Sequence, residues 1–167
     1  MIHLRVKYTG AVPGVARRKL PAWKKAAYLA AGIDWHRHAL PKHFTRAGAK
    51  AYGYAPRAGE PGNTRRGGFK RSYTGRKLAK MGHTRPLVYS GMSEQLTRMR
   101  DVRATSKSAR VIIHAPGFNR RHPKSRADMR AEVTEQTQAD IDRAAGAFDR
   151  ELQTQIDRDT TTTTANY

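Results

Sequence analysis

The charge of this chain is divided along its length. Residues 1–127 hold 29 Lys/Arg against four acids (Asp34, Glu60, Glu94 and Asp101), while residues 128–167 hold four Arg against nine acids, so +25 and −5 make up the net +20. A positive field of this size raises encounter rates with nucleic acid or an acidic protein surface, and it opposes close self-association unless something neutralises it. The acidic last quarter is the nearest neutraliser. With 167 residues and 38% hydrophobic content, the chain fits one modest core, expected as a single domain over 1–158 with a flexible tail at 159–167. There is no cysteine, which excludes disulfides, thiolate catalysis and cysteine-based zinc sites. The start, Met1 to Tyr8, alternates polar and apolar residues and lacks a signal-peptide core, and no apolar run approaches the roughly 20 residues of a membrane span. The expectation is a protein retained in the compartment where it is made, with no membrane partner.

Ile2, Leu4, Val6 and Tyr8 against His3, Arg5 and Lys7 predict a half-buried strand. Pro21 is expected to open a helix over Ala22–Ala31 that Gly32 stops, followed by a short helix capped by Asp34. Pro41 starts a further helical segment to about Tyr52. From Gly53 to Gly75 the glycine and proline content predicts a loop, with an extended basic arm over 55–77. Pro86 to Tyr89 is a possible strand, Met92 to Val102 reads as a strand of imperfect alternation, and Ala109 to Ala115 is a β-branched strand stopped by Pro116-Gly117. The polar turn at 105–108 joins the last two as a hairpin. Met129, Val133, Thr137, Ile141, Ala144, Phe148, Leu152 and Ile156 recur every three or four positions, predicting one amphipathic helix over 128–158. The fold class is therefore α+β: a small antiparallel sheet of three to four strands packed with N-terminal helices and a long C-terminal amphipathic helix, with an extended basic loop.

Few residues point to catalysis. His36 and His38 lie about 200° apart on a helix, so with Asp34 and His43 they do not form a metal site. His114, Asn119 and His122 are too closely spaced for a histidine-centred nuclease. The acids before 128 are isolated, which removes paired-carboxylate chemistry from most of the chain, and the glycines around 62–68 lack the lysine of a phosphate-binding loop. No enzyme activity, cofactor or metal is expected. The sharper signal is the basic arm, Arg57, Arg65, Arg66, Lys70, Arg71, Arg76 and Lys77 with Phe69 and Tyr73 interleaved. A second basic loop follows at Arg120, Arg121, Lys124 and Arg126. Cations with aromatic residues suit phosphates and stacked bases, and equally an acidic protein neighbour. The acids Glu132, Glu135, Asp140, Asp142 and Asp149 are the expected subunit-interface face of the last helix.

Leu40-Pro41-Lys42-His43-Phe44 leading to Lys50-Ala51-Tyr52-Gly53-Tyr54, then Arg85-Pro86-Leu87-Val88-Tyr89-Ser90-Gly91-Met92, then Arg126 to Val133, together with the order of elements, resemble the neck or tail-completion proteins of tailed bacteriophages. That group includes minor tail protein Z-like and head–tail joining proteins. The resemblance implies a structural virion protein of the neck that joins the head or portal connector to the tail and assembles as a homo-oligomeric ring. Its implied partners are portal or adaptor and tail proteins, with DNA in the channel, and its implied location is the virion after synthesis in the host cytoplasm. The alternative from composition alone is a sequence-tolerant nucleic-acid-binding protein.

Overall fold

The computed structural model describes residues 2–4, 14–64, 67–119 and 127–164. In chain order the elements are β1 (Ile2–Leu4), α1 (Gly14–His38), a 3-10 turn (Leu40–Phe44), α2 (Arg46–Ala51), α3 (Gly68–Arg71), α4 (Tyr73–Met81), α5 (Met92–Thr97), β2 (Asp101–Ala104), β3 (Ala109–Ile112), a second 3-10 turn (Pro116–Asn119), α6 (Met129–Thr134) and α7 (Gln138–Thr164). The class is α+β, mostly helical, with a small antiparallel sheet. The chain forms two compact units, Met1–Ala39 with Arg100–Ile112 and Gln138–Tyr167, and Leu40–Met99 with Ile113–Thr137.

In the first unit α1 packs against α7 and against the β2–β3 hairpin. The hairpin pairs Val102 with Val111 and Ala104 with Ala109, and its polar turn is closed by the Thr105 amide donating to the Ser108 carbonyl at 2.9 Å. β1 runs antiparallel to β3 with Ile2 opposite Val111. Ala109 and Val111 are buried and Arg110 is exposed, the period-two pattern of a sheet with one wet face. Between the helices, Trp23, Tyr28, Trp35, Phe148 and Leu152 form the core. Each such side chain stabilises by about 1.5–3 kcal/mol through burial. Tyr28 and Phe148 meet edge to face at 4.8 Å between centroids, the arrangement that the ring quadrupoles favour.

Two expected helix boundaries are interior to α1. Pro21 does not open the helix, which begins at Gly14. Lys19 on one side of the proline and Trp23 on the other both reach Asp159 of α7, at 3.2 Å and 2.7 Å, so tertiary contacts hold the turn that the missing proline N–H weakens. Gly32 does not stop the helix either: a Cβ there would lie 2.6 Å from Val102 Cγ1 and 3.3 Å from the Ala109 Cβ. It is the point where helix and hairpin approach closely. Asp34, expected as a cap, instead accepts from Arg143 at 3.1 Å and lies 3.7 Å from His38 Nε2.

The expected helix over 128–158 is two helices. Asp128 caps α6 by accepting from the amides of Arg130 and Ala131. The Thr134 hydroxyl bonds back to the carbonyls of Arg130 and Ala131, a competition that favours ending the helix. Glu135 is extended. Glu132 and Glu135 consequently belong to the second unit and Asp140, Asp142 and Asp149 to the first. Helix α7 continues through Thr164, past residue 159 where the tail is expected to begin. Asp159 accepts from the Trp23 indole, and that hydrogen bond holds its carboxyl below the usual carboxylate range. Cutting the chain after Arg158 should lower the urea midpoint slightly, since the contacts of Asp159 with Trp23 and Lys19 are lost at an exposed site. Chemical denaturation of the truncated chain checks this; an unchanged midpoint would restore the idle tail.

In the second unit, the expected strand over Met92–Val102 begins instead as helix α5, for its Met-Ser-Glu-Gln-Leu run contains helix formers and no β-branched pair. Pro86 to Tyr89 is turn rather than strand. Within it Leu87 is buried with φ 53, a left-handed conformation that costs a non-glycine residue about 1–2 kcal/mol. The single expected helix from Pro41 to Tyr52 is broken at Thr45, whose hydroxyl caps α2 by accepting from the Gly48 amide at 3.0 Å. Phe44, Phe118 and Val133 are buried in this unit, with the two phenylalanine rings 6.2 Å apart.

Candidate basic and aromatic interaction surface

The segment expected as an extended arm is folded in its described part. Residues 55–64 are knitted by their own hydrogen bonds: the Gly59 amide to the Asn63 carbonyl at 2.9 Å, the Glu60 amide to the Arg57 carbonyl at 2.9 Å, and the Asn63 side chain to the Pro56 carbonyl at 2.9 Å. The Thr74 amide ties the loop to α4 through the Ala58 carbonyl at 3.1 Å. Two short helices, α3 and α4, occupy the rest. They meet at Ser72, fully buried, whose hydroxyl donates to the Phe69 carbonyl at 2.6 Å and accepts from the Gly75 amide at 3.0 Å. A Cβ on Gly75 would fall 2.0 Å from that same Phe69 oxygen, so only glycine lets the two helices close on each other.

Within this frame the expected basic residues take different positions. Arg57 is turned inward: its guanidinium donates to both carboxylate oxygens of Glu132, one at 2.8 Å, and to the Ala55 carbonyl at 2.7 Å. The side chains of Arg57 and Glu132 are only 16% and 10% exposed. Burial alone would pull the guanidinium down, and the bonds and charge of Glu132 more than offset it, leaving it above its ordinary value. Lys77 is also turned inward, 4% exposed, with its ammonium donating to the Arg85 carbonyl and lying 5.8 Å from the centre of the Tyr73 ring. Neither is a free contact for phosphate. Arg57 and Glu132, expected to serve different neighbours, engage each other within one chain. Asp140, expected on the interface face, is 1% exposed and likewise unavailable.

Lys70, Arg71 and Arg76 are exposed, as is Lys80. Arg65, Arg66 and the whole second basic loop, Arg120, Arg121, Lys124 and Arg126, lie outside the described residues. Beside the exposed cations stand exposed aromatic rings that the sequence reading placed only in part: Phe69 at 47%, Tyr73 at 39% and Tyr89 at 45% exposed. The Tyr73 and Tyr89 rings stack with centroids 6.5 Å apart. Helix α4 is thus inverted, with Thr74 and Lys77 buried and Tyr73 and Leu78 turned to solvent. On the acidic side Glu135, Asp142 and Asp149 are exposed.

Among the described residues no three His, Cys, Asp or Glu side chains gather as a metal site. His43 is buried, stacked on Tyr52 at 3.8 Å, with Nδ1 2.5 Å from the Tyr54 hydroxyl. Among the described residues no helix is long and apolar enough to cross a membrane.

The buried groups set a pH dependence. Burial pulls the Lys77 ammonium down to about 8, with Arg57 and Arg85 adding to the shift and Glu60 opposing it. Unfolded, the same lysine holds its proton to about pH 10.4. Between those values the unfolded chain binds more protons, so stability rises with pH from about 8 toward 10. Burial raises the phenols of Tyr54 and Tyr73, the first also through Glu132. They keep protons that the unfolded chain loses above about pH 10, and stability falls again there. Urea midpoints should therefore peak near pH 10, and Lys77→Met should flatten the rising limb. A wild-type midpoint that falls steadily from about pH 8 to 10 would contradict the inward placement of Lys77.

No protein-family model, curated protein or solved structure matches this chain.

Proposed function

We propose that this protein is a structural subunit of a tailed-phage neck, acting by binding rather than catalysis, and joining the head or its portal connector to the tail as part of a ring. The observation that carries the reading is the presence, on one chain, of an exposed cationic and aromatic surface at α3–α4 and an exposed acidic face on α7. Surfaces of opposite charge on the same subunit suit head-to-tail contacts, which close into rings when the rotation permits. The short motifs around Leu40–Phe44 and Arg85–Met92 support the phage assignment. On this reading the contacts are made by pre-shaped surfaces, which the internal hydrogen bonds of the described part of 55–77 support.

In phage carrying a deletion of this chain, electron microscopy should find filled heads and separate tails. Normally joined particles would overturn the proposal. The second reading, a sequence-tolerant nucleic-acid binder, is favoured by the stacked Tyr73–Tyr89 pair among cations. It predicts that the monomer binds bare DNA with log K falling by roughly 0.9 per phosphate contact per decade of salt.

A further inference from the structure

We infer that the stacked Tyr73–Tyr89 pair and the cations around it are the docking surface for the acidic face of α7 on a second copy of this chain. The inference rests on the assembly reading above and names the partner of that surface.

The surface has the features of an anchor. Tyr73 is fixed by the buried Ser72 cap at one end of its turn and by the Lys77 side chain beneath its ring, and Tyr89 stacks on it. Large aromatic groups held in place lose little freedom on docking, which is why tyrosine is enriched among the residues that dominate binding energy. Arg76 follows Tyr73 by three residues and Lys80 by seven, so both share its side of α4; Lys70 and Arg71 precede it on α3. All four cations are exposed. Met92, 67% exposed, lies three residues beyond Tyr89 in sequence.

The occupant is indicated by charge and by shape. On α7, Asp142, Asp149 and Asp157 are exposed and fall within an arc of about 80°, opposite Ala144 and Phe148, over a length of about 22 Å. Two of the three carboxylates are held in position: Gln138 donates to Asp142 and Gln153 to Asp157, each at 2.7 Å and each one turn away. The cationic surface and the acidic stripe are different patches of the chain, so a head-to-tail contact between two copies uses one patch of each and leaves the other to continue the assembly.

The test uses two full-length variants changed only at exposed residues: Tyr73→Ala/Arg76→Glu/Tyr89→Ala, and Asp142→Lys/Asp149→Lys/Asp157→Lys. Circular dichroism checks that both are folded. At a salt concentration of about 0.15 M, where charges in contact still interact, each variant alone should sediment as a monomer. An equimolar mixture should form dimers and nothing larger, because each variant keeps one working surface. A mixture that stays monomeric, or either variant assembling alone like the wild type, would overturn the inference. So would a first variant that assembles normally but no longer binds single-stranded oligothymidylate, which would make the tyrosine pair a nucleic-acid platform. The experiment contains only this chain, so its failure leaves the neck assignment standing on the deletion phenotype, and a normal deletion phenotype leaves this contact untouched.

Discussion

Phe148→Ala should lower the stability of the first unit by about 3–5 kcal/mol, a large share of the margin, since domains of this size hold about 5–15 kcal/mol in total. Phe148 is 1% exposed and meets Tyr28 edge to face. It sits where α1 and α7 pack, and Ala144 and Leu152 lie one turn to either side of it on the same buried face. Truncating it removes both the transfer free energy of the ring and its contact with Tyr28. A control lies on the same helix. Ile141 is 43% exposed, so Ile141→Ala should change stability by no more than about 0.5 kcal/mol. Equal losses from the two substitutions in urea denaturation would mean that the α1–α7 face is not the core of that unit.

Arg57→Ala should cost about 3–5 kcal/mol in the second unit, the penalty for breaking a buried ion pair by removing one partner. The loss is larger than for any exposed arginine because Glu132, 10% exposed, is left charged without its guanidinium. The Ala55 carbonyl loses its donor as well. The double change Arg57→Met/Glu132→Leu should recover most of the cost, since replacing both members of a buried pair by apolar groups is often neutral or stabilising. A double-mutant cycle in chemical denaturation measures the coupling. Additive effects would show that the two side chains do not meet. If Arg57 instead served phosphate or a neighbouring subunit, Arg57→Ala would leave the stability of the free chain near that of the wild type.

Much of the first unit was legible because its signals are local or strictly periodic. The β-branched run at Val111–Ile113 and the polar turn at 105–108 specify a hairpin arm and its reversal, and the spacing of Ala144, Phe148 and Leu152 specifies the buried face of α7. The misread positions are those where a residue that usually ends an element is used for a tertiary purpose. Gly32 reads as a stop, yet its missing side chain is what lets α1 approach Val102 and Ala109. Pro21 reads as a start because the contacts of Lys19 and Trp23 with Asp159 are distant in sequence. The break between α6 and α7 has a local cause in Thr134, but a continuous apolar period across it conceals the change of unit.

The candidate site was legible in composition and not in orientation. Charge counting finds Arg57, Lys70, Arg71, Arg76 and Lys77 together but cannot say that Arg57 and Lys77 point inward while the other three are exposed. The glycine and proline content of 53–75 suggests an unstructured arm. Instead Gly75 permits a close crossing with the Phe69 carbonyl, and Gly59 leaves room for the buried Ser72, whose Oγ would lie 2.1 Å from a Cβ there. Loop composition in this case marks tight packing of short helices. The inverted face of α4, apolar outward and lysine inward, is the one feature of the segment that a periodicity reading could have found.

The association state of the unmodified protein across a salt series tests most directly whether opposed charged surfaces drive assembly. At about 0.01 M salt the field of a +20 chain reaches roughly 30 Å and holds copies apart, and at about 1 M the contact pairs themselves are screened. Sedimentation should therefore report 18.7 kDa, the mass of one chain, at both extremes, and a larger mass near 0.15 M, where the screening length is about 8 Å. A mass of 18.7 kDa at every salt concentration, or one that rises steadily up to about 1 M as apolar association does, would contradict the account.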